Sequence, residues 1–228
     1  MNNGHKRLTV HEIKQDIDKH VAEIGKEFRM GFEELKKNPT SVTILGSSRT
    51  SPAHKHYKQA QELANRIVKE LGYSIITGGG PGIMAAANLG AQEAHGSSVG
   101  FTIELPHEQH TNPYVTSGAN FNYFFARKTM LTFAAEAFVF FPGGFGTFDE
   151  FFSILTLIQT GKIPRVPLIL IGKEFWNATR DYMKVNMLEK CNAINAADLE
   201  LFVITDDLDH VMRLIRKAKV SEWWKQMD

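Results

Sequence analysis

The stretch Phe138-Val139-Phe140-Phe141-Pro142-Gly143-Gly144-Phe145-Gly146-Thr147-Phe148-Asp149-Glu150-Phe151-Phe152 decides how the rest of the chain is read. Its apolar, aromatic start reads as a buried strand. Pro142 breaks the strand, three glycines follow, and a helical pattern restarts at Thr147. Thr147 is a good N-cap residue, and Glu150 stands three positions on, as in a capping box. A glycine-rich turn between a strand and a helix N-terminus leaves backbone N–H groups unobstructed, where the helix dipole favours negative charge. The stretch is therefore expected to hold a phosphate, with the Glu150 carboxylate one helical turn beyond it.

The same strand–turn–helix pattern occurs twice upstream. Residues 42–45 read as a strand that runs into Gly46-Ser47-Ser48-Arg49, a turn of small residues followed by a cation. A helix over about residues 57–71 carries Ala60, Leu63, Ala64, Ile67, Val68 and Leu71 at helical spacing, and Gly72 is its stop. Residues 74–77 form a second strand, which enters Gly78-Gly79-Gly80-Pro81-Gly82 and then an alanine-rich helix to about residue 95. This run is not the dinucleotide fingerprint: Ile83 holds the third glycine position, and the turn follows the second strand. It is not a P-loop either, since no Gly-Lys-Ser/Thr follows.

Residues 98–103 are a third strand, followed by a loop over 104–113. His107, Glu108 and His110 lie in that loop, but polar lining explains them better than a metal does, and no metal site is expected. Residues 120–124 are a short apolar segment. Ala126-Arg127-Lys128 opens a helix to about residue 135, and the strand over 137–141 feeds the central turn. Strands over 166–171 and 202–205 alternate with helices over 174–188 and from Asp206-Asp207 to about residue 220. Alternating strands and helices without hairpin signals imply parallel strands joined by right-handed crossovers. Near-continuous apolar strands imply helices on both faces. The expected architecture is α/β: a Rossmann-like, doubly wound parallel sheet of about six to seven strands over residues 41–228. A helical extension over residues 1–40 precedes it. There Val10, Ile13, Ile17, Val21, Ile24, Phe28 and Phe32 form one stripe that ends at Pro39.

Composition narrows the function. A net charge of +1 gives no bulk attraction to nucleic acid or an anionic membrane. No run approaches the ~18 apolar residues of a membrane span. Cys191 is the single cysteine, so no internal disulfide forms. With a polar N-terminal segment, this points to the cytoplasm. No Ser-His-Asp order or Cys-His pair supports acyl transfer.

Open parallel sheets bind ligands at the carboxyl ends of their strands. The three turns at Gly46-Ser47-Ser48, Gly78–Gly82 and Gly143–Thr147 lie there and form a donor-rich rim. Arg127 and Lys128 stand at a helix start, where a cation opposes the dipole, which suggests anion binding. A phosphate cradle, one carboxylate and one arginine fit cleavage of an N-glycosidic bond. The 5′-phosphate would sit in the glycine turn, and Glu150 would stabilise an oxocarbenium-like sugar and orient water.

Pro142-Gly143-Gly144-Phe145-Gly146-Thr147-Phe148-Asp149-Glu150 matches the Pro-Gly-Gly-x-Gly-Thr-x-x-Glu signature of the LOG ("Lonely guy") family, and Arg127-Lys128 matches its Arg-Lys pair. The other two glycine turns match as well, so the chain resembles this family from about residue 42 to 215, in its longer bacterial branch. These proteins are cytokinin riboside 5′-monophosphate phosphoribohydrolases, once widely labelled lysine decarboxylases. The resemblance implies a purine nucleoside monophosphate, AMP or N6-modified AMP, as substrate. It implies Arg127 and Glu150 as catalytic residues, and Gly143, Gly144, Gly146 and Thr147, with Gly46 and Ser47, as the phosphate site. Gly79, Gly80, Met84 and Lys128 are expected on the base side, with the loop around residues 107–112. The resemblance further implies a homodimer or larger assembly and no metal or organic cofactor. Two features depart from the pattern: Ala126 stands where many members carry Glu, and the shortest members lack the N-terminal extension. The alternatives are a carrier that binds a nucleotide or molybdenum cofactor without turnover, and a pyridoxal-phosphate decarboxylase, for which Lys128 lacks a supporting pattern.

Overall fold

The strand that feeds the central turn, β5 (Ala135–Phe140), is buried along its whole length. Its side chains divide between two cores: Phe138 and Phe140 point to one, Ala137 and Val139 to the other. A strand buried on both faces cannot alternate apolar with polar residues, hence the apolar run Ala137–Phe140, although the buried Glu136 interrupts it near the start. The computed structural model describes residues 10–105, 110–133 and 135–218, with side chains from residue 16 onward.

Seven strands form one sheet: β1 (Ser41–Leu45), β2 (Ser74–Thr77), β3 (Ser98–Ile103), β4 (Ser117–Phe121), β5, β6 (Leu168–Leu170) and β7 (Val203–Ile204). Their order is β4-β3-β2-β1-β5-β6-β7, and every neighbouring pair is parallel. The helices are α1 (Val10–Lys37), α2 (Lys55–Leu71), α3 (Ile83–Glu93), α4 (Phe124–Thr132), α5 (Phe145–Gln159), α6 (Lys173–Tyr182) and α7 (Leu208–Lys217). Leu63 and Ile67 of α2, Ile83 and Ala87 of α3, and Val211 and Ile215 of α7 fill one core. Leu35 of α1, Met130 of α4, Phe151 and Ile154 of α5, and Trp176 of α6 fill the other. The doubly wound α/β sheet is thus observed, with helices on both faces.

The chain leaves β1 outward through β2, β3 and β4, then returns to the far side of β1 as β5. The connections after β1 and β5 therefore diverge, and a crevice opens between them at the carboxyl edge. Gly72 ends α2 in the left-handed conformation (φ 71°), as its position implies.

Several elements differ from the sequence reading. β4 lies at Ser117–Phe121, on a segment that alternates buried and exposed residues because it is an edge strand. α4 starts at Phe124, so Arg127 and Lys128 fall in its second turn and oppose the dipole less than a helix start would. The helix after β6 turns π-helical over Met183–Lys190. His107 and Glu108, and the end of the last helix at Val220, lie outside the described residues.

Candidate active site at the strand switch point

The three glycine turns are stitched together by backbone hydrogen bonds. Ser47 N–H donates to Pro142 O at 3.0 Å, joining the turn after β1 to the turn after β5. Ile83 N–H donates to Ser47 O at 3.0 Å, drawing the start of α3 under the same turn. Gly82 permits that approach: its φ is +67°, and a Cβ there would collide with the backbone of Ser47 and Ser48. Between these turns lies a cleft of about 650 Å³, lined by Leu45, Gly46, Ser47, Ser48, Arg49, Met84, Arg127, Gly144, Phe145, Gly146, Thr147 and Glu150.

The start of α5 forms one wall. Gly144 is its N-cap residue, and no side chain caps the helix. The capping box expected from Thr147 and Glu150 is therefore not formed. The helix begins two residues earlier, because Thr147 N–H and Phe148 N–H already bond to Gly144 O at 3.0 and 3.1 Å. Thr147 is the third helical residue, and the N–H groups of Phe145 and Gly146 make no hydrogen bond among the described residues. Unpaired amides at a helix N-terminus, opening on a cleft, form an anion-accepting wall.

Freed from a capping role, Glu150 points into the cleft. Its side chain is 8% exposed and lies 3.7 Å from Arg127 Nη1 through Oε1. Its other oxygen, Oε2, is buried and has no hydrogen-bond partner. Burial pushes the Glu150 carboxyl above the usual carboxylate range; the Arg127 and Lys128 cations pull it back, and Asp149 adds to the rise. Arg127 is held on its other side, with Nε donating to Phe101 O at 2.7 Å. Burial draws its pKa down, and Glu150 opposes this. Gly78 makes room for the guanidinium, since a Cβ there would collide with Arg127 Nη2 and sit 2.8 Å from Met84 Sδ.

Of the residues singled out in the sequence, Gly46, Ser47, Met84, Arg127, Gly144, Gly146, Thr147 and Glu150 meet in this cleft. Gly143 lies behind it, where a Cβ would strike the Thr147 side chain. Gly79 and Gly80 do not line it; their carbonyls accept from the Asn112 side chain, both at 3.0 Å, so Asn112 clamps the second turn. Lys128 points elsewhere, with Nζ paired to Asp149 Oδ2 at 2.6 Å and donating to Ser153 Oγ at 3.0 Å. Ser48 and Arg49 join the lining. So does Phe145, which is 96% exposed at the rim. The packing of Gly78 on Arg127 was invisible in the sequence, because the space is filled from α4, far along the chain.

The fold and this cleft define a Rossmann-like α/β protein with a cleft at the strand switch point whose wall presents unpaired backbone amides. Comparison with known proteins carries this further. The family model described as "Possible lysine decarboxylase" matches residues 84–215. The chain belongs to this family, the one containing the LOG proteins. It is similar to a cytokinin riboside 5′-monophosphate phosphoribohydrolase of Rhodococcoides fascians, at 23% identity over 190 residues, covering 80% of this chain and 92% of the relative. Among solved structures it resembles the molybdenum cofactor binding protein of Rippkaea orientalis, with a TM-score of 0.57 at 20% identity, over 78% of this chain and 94% of that one. The molybdenum cofactor carrier protein of Chlamydomonas reinhardtii aligns with a TM-score of 0.56 at 20% identity, over 78% and 97% of the two chains. At these identities the structural likeness establishes the fold alone.

Proposed function

We propose that the chain hydrolyses the N-glycosidic bond of a purine nucleoside 5′-monophosphate, AMP or an N6-modified AMP, to the free base and ribose 5-phosphate. The observation that carries this reading is Glu150: a buried carboxylate with one unpartnered oxygen, facing a cleft whose walls favour an anion. The start of α5 and the turn at Gly46-Ser47 receive the 5′-phosphate. Glu150 stabilises positive charge as the bond from C1′ to the base breaks and its electron pair leaves with the base. One water is consumed: its oxygen bonds to C1′, and its protons end on the sugar hydroxyl and the base. Glu150 orients that water, and Arg127 assists the phosphate or the departing base. Similarity to the Rhodococcoides fascians enzyme supports the same chemistry.

A carrier without turnover is the second reading, favoured by the molybdenum cofactor proteins of the same fold. A buried carboxylate beside an anionic ligand weakens binding, and this argues for catalysis. Pyridoxal phosphate does not fit: no lysine lines the cleft among the described residues, and Lys128 is engaged by Asp149 and Ser153. Incubation with AMP and isopentenyl-AMP, followed by chromatography for free base, tests the proposal. Base release by the wild type that is lost in Glu150→Ala supports it; AMP binding without release supports the carrier. A homodimer or larger assembly completes the reading, and light scattering at assay concentration measures it.

A further inference from the structure

The N-terminal helix is tied through Glu27 to the start of α4, the helix that carries Arg127. This glutamate is 7% exposed, and its carboxylate faces the start of α4. Oε1 accepts from Asn122 N–H at 2.8 Å and from Asn122 Nδ2 at 3.0 Å, while Oε2 accepts from Tyr123 N–H at 3.2 Å. Tyr123 is the N-cap residue of α4 and makes no side-chain cap, and the first turn holds no acidic residue. A helix of nine residues is marginal alone, so its orientation depends on what holds its ends and face. Glu27 supplies from another element what the local sequence lacks, both acceptors and a negative charge at the positive end of the dipole.

The rest of α1 keeps the two helices in register. Gly31 lets the backbones close up, since a Cβ there would collide with Met130. Phe28 packs on Phe125 with ring centroids 6.5 Å apart, and Phe32 meets Phe133 edge to face at 5.0 Å. Arg127 lies on α4, one turn beyond the Glu27 contacts, and reaches the cleft between Phe101 O and Glu150.

We infer that Glu27 is a positioning residue for the active site: through α4 it sets where the Arg127 guanidinium stands against Glu150. This inference rests on the phosphoribohydrolase reading for its effect on rate, and on the hydrogen bonds alone for its effect on α4. Full-length wild type, Glu27→Gln, Glu27→Ala and Phe32→Ala are compared. Phe32→Ala loosens the same helix pair without touching the start of α4. For release of base from AMP, kcat of Glu27→Ala falls by roughly 10- to 100-fold with KM within about threefold, as expected when a group is misplaced by about an ångström. Glu27→Gln, which keeps one acceptor oxygen, recovers part of the loss. Phe32→Ala keeps kcat per folded molecule near wild type. Hydrogen exchange is followed in parallel over residues 122–127, where Glu27→Ala accelerates exchange and Phe32→Ala does not. Wild-type kcat in Glu27→Ala, or an equal fall in Phe32→Ala, overturns the inference. If the wild type releases no base, the functional reading fails by itself. The exchange profile then decides on Glu27, and unchanged protection in Glu27→Ala overturns its role.

Discussion

Glu150 Oε2 is buried without a hydrogen-bond partner, and among the described residues its sister oxygen pairs only with Arg127, at 3.7 Å. A carboxylate in such a place is destabilised when charged, and in the proposed hydrolysis a positive centre forming beside it relieves that cost. Its folded-state pKa is raised, so the associated stability is present below the unfolded value of about 4.3 and is lost as pH rises through the folded value. In the hydrolysis proposed above, the reacting form is the ionised one. The acid limb of kcat/KM against pH should therefore fall above the ordinary carboxylate range. Glu150→Gln should lower kcat by at least about 100-fold. It should also remove the wild type's stability loss with rising pH, as read by urea unfolding between pH 4 and 7. An acid limb at or below the ordinary value counts against Glu150 as the acting carboxylate. The missing Cβ of Gly78 leaves space for Arg127 Nη2, and the residue is buried without a positive φ. Gly78→Ala should leave the melting temperature within a few degrees of wild type and lower kcat about tenfold or more, because the guanidinium moves and the sheet does not. Steady-state kinetics beside a thermal melt read both quantities.

At the scale of the element, the three glycines of the turn before and into α5 serve different ends. Gly143 is needed for packing, since a Cβ would strike the Thr147 side chain and come within 3.1 Å of Ser47 N. Gly144 and Gly146 have nothing within 4 Å of an added Cβ, and neither has a positive φ. Gly146 lies inside α5, where glycine is less favourable than alanine by about 0.5–1 kcal/mol. Neither packing nor backbone conformation explains it; the phosphate proposed to approach here does. Gly146→Ala should hold or raise the melting temperature while raising KM for AMP several-fold, as the methyl group intrudes on the approach to the amides of Phe145 and Gly146. A rise in stability with unchanged KM would show that the phosphate sits elsewhere. The sequence marked this turn correctly as the place where a strand meets a helix, and it misread the helix start. Thr147 is a favoured cap by residue type, yet Gly144 caps through its backbone, a choice that side-chain preference does not encode.

For the whole molecule, the decisive fact is the sheet order, in which β1 and β5 are neighbours although three strands separate them in the chain. The alternation of strands and helices made the parallel sheet legible, and the glycine turns marked its ligand edge. Which strands are adjacent was not legible, because pairing is set by the helices that cover each face. Edge strand β4 escaped for a related reason: with one neighbour it is only partly buried and lacks an apolar run. Glu27 escaped because it is a polar residue on an apolar-striped helix, and its partners lie 95 and 96 residues away in sequence. The same sheet order draws the cleft lining from both sides of the switch point: the turn after β1 and Met84 of α3 on one side, the start of α5 with Glu150 on the other, and Arg127 reaching in from α4. A ligand that fills the cleft therefore ties both halves of the sheet together, so binding should stabilise the entire fold. At a concentration of 100 times its dissociation constant, a ligand adds about 2.7 kcal/mol, which for a chain of this size is a shift of roughly 5–10 °C. Slow turnover permits the measurement with Glu150→Gln, in which AMP should raise the melting temperature by that amount. Ribose 5-phosphate should raise it by a smaller but clear margin, and adenosine, lacking the phosphate, by little at equal concentration. Equal shifts from adenosine and AMP would mean that the base, not the phosphate, anchors the ligand at the switch point.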